Sequence, residues 1–139
     1  QAAQILASDI DTRVLQKAES GIYSADSKGL SRERLKAFFL RGTGPNQGLM
    51  RVKPELRSMI AFRPHNLMAP VWDLGAPMDI VFCRNVMIYF DAATQREVLA
   101  RIHAAMRPGG MLYVGHSENF NDARRLFRLR GKTVYERLP

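Results

Sequence analysis

Apolar residues fall along this 139-residue chain in short runs of two kinds, and the kind predicts the element. Recurrence every three or four positions predicts a helix, whereas an unbroken or alternating run of four to eight residues between turn signals predicts a strand. QILASD (4–9) reads as a short strand ending on an acid. TRVLQKAESGIY follows as a helix that Asp11 or Thr12 can cap and Gly21 can stop. A second short helix is expected from Ser31 in SRERLKAFF. From Phe38 to Pro64 three short apolar pieces, FFLRG, GLMRVK and MIAFRP, are separated by turns such as GTGPNQG. They predict a small inserted antiparallel β unit over 38–64, with Pro54 opening one helical turn in PELRS.

The second half is more regular. MDIVFCRN is a continuous apolar run of the kind buried on both faces of a parallel sheet. Asp91 caps AATQREVLARIHAAM, in which Val98, Leu99, Ile102, Ala105 and Met106 form one helical stripe. RPGG breaks that helix, MLYVGH gives another buried strand, SENFNDARRLF a helix capped by Ser117, and KTVYERL a last strand. Strands alternating with helices at this spacing predict an α/β fold with a mostly parallel sheet.

Composition narrows the function classes. No stretch approaches the ~18 apolar residues that span a bilayer, and the first residues lack the basic start and apolar core of a signal peptide. A soluble protein is expected. The single cysteine, Cys83, excludes an internal disulfide and suits a reducing cytoplasm; His65, His103 and His116 do not share metal-ligand spacing with it, so no metal is expected. Net charge is +8, from 21 Lys+Arg against 13 Asp+Glu, which favours acidic partners. Only RRLFRLR (124–130) clusters the basic residues, and no aromatic-basic pattern of an RNA-binding sheet accompanies it. A solvated basic face is therefore favoured over nucleic-acid binding.

Ligands of open α/β sheets sit beyond the carboxyl ends of the strands, and three polar features fall at such ends. Asp9 closes the first strand, where a carboxylate can hold both hydroxyls of a ribose or simply cap a turn; the spacing leaves both open. Arg84 and Asn85 interrupt FCRNVMIYF (82–90). Burying them unpartnered would cost several kcal/mol, so they either leave the core towards a ligand or latch a neighbouring loop. GHSE (115–118) closes the next strand, and its His116 reads first as a structural histidine. No G-x-G-x-x-G, G-x-x-x-x-G-K-[ST] or G-x-S-x-G is present, so nucleotide hydrolysis and covalent catalysis are unsupported.

Five blocks in order, ILASDIDTRVLQKAESGIY, FFLRGTGPNQGLMRV, FCRNVMIYFD, RPGGMLYVGHSENF and LRGKTVYE, resemble the C-terminal methyltransferase domain of the CheR family of chemotaxis receptor glutamate methyltransferases. The resemblance implies a class I, Rossmann-like fold that binds S-adenosylmethionine, transfers its methyl group to receptor glutamate carboxylates and releases S-adenosylhomocysteine. By the same match Asp9 binds the donor's ribose, Asn66 and Leu67 line the adenine, Arg84 and Asn85 close the pocket near the amino-acid end, and the hydroxyl of Tyr89 stands beside the transferred methyl. The inserted β unit, through Arg41, Gly42, Gly44 and Gly48, would capture a C-terminal receptor tail as an added strand. Family members also carry, before the equivalent of Gln1, a helical domain and a first strand with a glycine-bearing loop. The resemblance thus implies an incomplete sheet over 1–139, weak or absent donor binding by this piece alone, and exposed apolar surface that favours dimerisation. The alternative is a non-catalytic module that binds receptor tails.

Overall fold

The computed structural model describes residues 3–26, 28–118, 120 and 123–139. In chain order its elements are β1 (Ile5–Asp9), α1 (Thr12–Ser20), β2 (Ile22–Ser24), α2 (Arg32–Phe38), β3 (Phe39–Arg41), β4 (Leu49–Val52), α3 (Pro54–Arg57), β5 (Ile60–Pro64), β6 (Met78–Cys83), α4 (Ala92–Ala105), β7 (Met106–Val114), β8 (Phe127–Leu129) and β9 (Val134–Arg137), with 3-10 turns at Gly44–Asn46 and Met87–Tyr89. The class is α/β with mixed sheets, and the chain divides into two units, 1–66 and 67–139.

In the first unit the helix signals act as expected. The Asp11 carboxylate accepts from the Arg13 N–H at 2.8 Å to start α1, and Gly21 ends it at φ 67, a left-handed conformation that suits glycine. Ser31 caps α2 by accepting from the Arg34 N–H at 3.2 Å, and Pro54 opens α3. Strand pairing departs from expectation. β2, β4 and β3 form a three-stranded antiparallel sheet with β4 in the middle. The third apolar piece, MIAFRP, is not part of it: β5 runs parallel to β1, with Ile5 opposite Ile60 and Asp9 opposite Pro64. The antiparallel sheet takes its third strand from Ile22–Ser24 instead. Strands this short are specified by their neighbours more than by their own sequence.

The second unit holds one sheet in the order β6-β7-β9-β8. β6 and β7 are parallel, with Ile80 opposite Met111 and Cys83 opposite Val114; β9 is antiparallel to both β7 and β8. The Asp91 carboxylate starts α4 by accepting from the Thr94 N–H at 2.8 Å, and that bond holds its pKa below the usual carboxylate range. Val98, Leu99 and Ile102 bury the helix stripe in a core with Met87, Met106, Leu112, Val114, Phe127 and Tyr135.

Three expectations are corrected here. β6 is not buried on both faces, since Ile80 is 55% and Phe82 70% exposed; it is an edge strand, and Phe82 stacks on Tyr113 at 4.9 Å. RPGG does not lie outside the strand. β7 already begins at Met106, and an irregularity between Met78 and Ile80 absorbs the extra residues, with Gly109 at φ 80. The helix expected over 117–127 falls partly on 119, 121 and 122, outside the described residues; its described part forms turns and then β8. The sheet is consequently mixed, because β8 and β9 return as a hairpin. Among the described residues no helix is long and apolar enough to cross a membrane.

Candidate functional site

The carboxyl ends of parallel β6 and β7 carry the most elaborate polar arrangement in the second unit. After Cys83 the chain passes through Arg84 and Asn85, turns at Met87–Tyr89 and enters α4. Asn85 sits at φ 60, the one described non-glycine residue with positive φ. Asparagine tolerates this region better than most residues, at a cost of order 1 kcal/mol. Met87 anchors the stretch in the core at 0% exposed and Phe90 packs against that core, while Arg84, Asn85, Val86, Ile88 and Tyr89 are exposed, Tyr89 to 81%.

Hydrogen bonds hold this loop from two sides. Glu118, 5% exposed, accepts through Oε1 from the N–H groups of Asn85 and Gly115, both at 2.8 Å, and through Oε2 from the N–H of Met87 at 3.0 Å. The Gln95 amide, from the first turns of α4, donates to the carbonyls of Met87 at 2.8 Å and Phe90 at 3.2 Å. Gly115 leaves room for this arrangement, because a Cβ there would collide with Asn85 Oδ1. Of the two readings their sequence left open, the latch is seen: the Asn85 backbone is held by a neighbouring loop, and Arg84 is exposed.

Sequence reasoning missed Glu118. An acid three residues beyond a strand-ending glycine was the available signal, and GHSE offered it.

Cys83 lies beside this cluster, buried and reduced. Burial pushes its thiol up to about 11, and the Glu118 carboxylate adds to the rise. The folded chain therefore holds the thiol proton more tightly than the unfolded chain, whose thiol titrates near 9.0. The resulting stabilisation is fully present below pH 9 and drains away as pH rises towards 11. In urea titrations the advantage of the parent over Cys83→Ala is expected to shrink between pH 8.5 and 10.5. A constant or growing advantage contradicts the burial of this thiol.

The first unit places Asp9 and Asn66 at the carboxyl ends of parallel β1 and β5. Asp9 is half-buried; its Oδ1 accepts from the Asp11 N–H at 2.9 Å and its carbonyl from the His65 N–H at 3.0 Å. The turn-capping role is thus realised, and a carboxylate with about four lone-pair sites keeps acceptor capacity beyond it. Leu67, at the start of the second unit, packs on that unit's core.

The residues of the β unit have local reasons for their identity. Arg41 is exposed at the end of β3, opposite Met50. Gly42 donates to the Leu49 carbonyl at 2.9 Å, and a Cβ there would strike the Asn46 backbone carbonyl. Gly44 and Gly48 adopt φ 57 and φ 86, so the turn itself calls for these glycines. Among the described residues no group of three or more His, Cys, Asp or Glu side chains could hold a metal ion.

The family model for "CheR methyltransferase, SAM binding domain" matches residues 1–136. The chain is similar to the chemotaxis protein methyltransferases of Klebsiella aerogenes, 53% identical over 96% of this chain and 47% of that protein, and of Escherichia coli, 51% identical over 95% and 46%. A Pseudomonas aeruginosa protein named chemotaxis protein methyltransferase 2 is 49% identical over 95% of this chain and 48% of its own length. The chain spans about half the length of these relatives.

Proposed function

The chain belongs to the CheR methyltransferase family, within its S-adenosylmethionine-binding domain, and from that membership we propose that the protein carrying it methylates glutamate side-chain carboxylates of chemotaxis receptors in the cytoplasm. The observation that carries this reading is the loop leaving β6. There Arg84, Asn85 and Tyr89 stand exposed at the carboxyl ends of two parallel strands, while Glu118 and Gln95 hold their backbone. Similarity to chemotaxis methyltransferases along 95% or more of the chain supports the substrate class. β1 and β6 each pair on one side only among the described residues. Such open edges also favour pairing between copies of the isolated piece.

In this reading the Asp9 carboxylate takes the ribose hydroxyls, Asn66 and Leu67 border the adenine, and Arg84 with Asn85 faces the amino-acid end. S-adenosylmethionine supplies an electrophilic methyl on a sulfonium. The acceptor needs no strong base, because a glutamate with a reference pKa of about 4.3 is already ionised at neutral pH. The protein's task is alignment at about 3 to 3.5 Å and exclusion of water. Tyr89 can donate its hydroxyl to the acceptor carboxylate and fix the attacking oxygen. The net charge of +8 favours approach to acidic receptor surfaces rather than to nucleic acid. The antiparallel sheet ends on edge strands β2 and β3, and we place the receptor tail there as an added strand, with Arg41 pairing an acidic group.

The test uses the complete protein with a methyl-labelled donor and a receptor cytoplasmic domain. Base-labile label on the receptor is expected, with turnover about tenfold lower for Tyr89→Phe. No transfer sinks the reading, and unchanged turnover in Tyr89→Phe removes that residue's role. In the same preparation, titration with an acidic tail peptide reports on the β unit, and absence of heat excludes tail capture.

A further inference from the structure

The carboxylate of Glu118 is the one buried charged side chain among the described residues, and methyl transfer as set out above gives it no task. We propose that Glu118 is a positioning residue: its carboxylate sets the backbone of the Arg84–Tyr89 loop and so places Asn85 towards the donor and Tyr89 towards the acceptor. The inference deepens the proposed function and rests on it for the roles of those two residues.

The geometry has three parts. First, the two carboxylate oxygens gather N–H groups from both strand exits, Asn85 and Met87 after β6 and Gly115 after β7, at 2.8 to 3.0 Å. The Glu118 N–H returns to the Gly115 carbonyl at 3.1 Å and closes the turn that carries the acid. An ionised carboxylate only accepts, which makes it the side chain that can satisfy three converging N–H donors without presenting a donor of its own. Second, packing holds the Arg84–Tyr89 loop only through Met87, its other members being exposed. The hydrogen bonds from Glu118 and Gln95 fix the backbone on either side of that anchor. Third, Asn85 is kept at φ 60, and strained backbone of this kind persists where surrounding bonds over-determine it.

Glutamine is the informative replacement. It keeps the volume and one acceptor oxygen for Asn85 and Gly115, but turns an NH2 group towards the Met87 N–H, so two donors meet. Aspartate keeps both oxygens on a stem one carbon shorter.

The experiment compares Glu118→Gln, Glu118→Asp and the parent in the complete protein, at a temperature where circular dichroism shows all three folded. Glu118→Gln is expected to lower kcat about tenfold to a hundredfold, with Glu118→Asp recovering part of that loss even where its melting temperature is no higher. A kcat for folded Glu118→Gln within twofold of the parent overturns the proposal, as does recovery that merely follows melting temperature. Should Glu118→Gln not fold, the same comparison is read from Glu118→Asp and the parent, with an unchanged kcat again overturning it. A second readout needs no activity: amide exchange at Met87, which loses its acceptor, is expected to accelerate at least tenfold in Glu118→Gln while β7 keeps its protection. Unchanged exchange overturns the clamp itself. A parent that transfers no methyl group, with the exchange result as expected, leaves the clamp standing and removes the methyltransferase reading.

Discussion

Replacing Gly115 by alanine is expected to destabilise the protein by about 1–3 kcal/mol and to distort the loop after β6, although only one methyl group is added. The cost arises from space, because the new Cβ would fall on Asn85 Oδ1 and lie 3.0 Å from Glu118 Oε1. Asn85 Oδ1 ends an exposed side chain that can turn aside, but Glu118 Oε1 cannot retreat cheaply. Glu118 Oε1 is held by the N–H groups of Asn85 and Gly115 at 2.8 Å, and moving it also strains the bond to Met87 at 3.0 Å. A double-mutant cycle tests this cause. Asn85→Gly removes the oxygen that can turn aside and suits φ 60, so Gly115→Ala should keep most of its cost in that background by urea unfolding. A cost that vanishes there would show that the fixed carboxylate is not the source.

Leu112→Ala is expected to have the largest effect on folding, about 2–5 kcal/mol. Leu112 is 0% exposed and sits in β7 opposite Val81 of β6 and Tyr135 of β9. It belongs to the same buried cluster as Val98, Leu99 and Ile102 of α4, and a void at this point would be lined by rigid strand and helix on each side. Against a typical total of 5–15 kcal/mol, a loss of this size leaves a measurable unfolded fraction at 37 °C. Leu129→Ala is the control: at 59% exposed it should shift stability by about 0.5 kcal/mol or less. A cost under 1 kcal/mol for Leu112→Ala would mean that β7 is not the centre of this core.

The candidate site was legible in part. Asp9, Arg84 and Asn85 could be placed at strand ends because a polar residue closing an apolar run must leave the core or find a partner at its rim, whereas Tyr89 was singled out by the resemblance alone. The resemblance grouped Asp9 with Asn66, and the structure adds the local reason, since β1 and β5 are parallel partners and the His65 N–H donates to the Asp9 carbonyl. The glycines of the β unit carry a tail-binding reading from resemblance, and the structure adds a local one for Gly42, Gly44 and Gly48 in the turn. Glu118 was invisible as a partner of the loop because 33 residues separate it from Asn85.

What the sequence determined by itself were features whose cause lies within about four residues. Asp11, Ser31 and Asp91 start helices because a short polar side chain reaches the N–H groups of the next turn. Gly21 stops one because glycine accepts a left-handed backbone, and the apolar runs of β6, α4 and β7 mark their elements through their own periodicity. Only the tertiary structure decided which strand pairs with which. It sent MIAFRP to β1 instead of the antiparallel sheet, left β6 at an edge with Phe82 exposed, and folded the chain after Gly115 so that an acid reached the loop after β6. The physical reason is that strand partners and buried acceptors are chosen by groups distant in sequence. Their N–H and C=O groups must be satisfied somewhere, but nothing local states where.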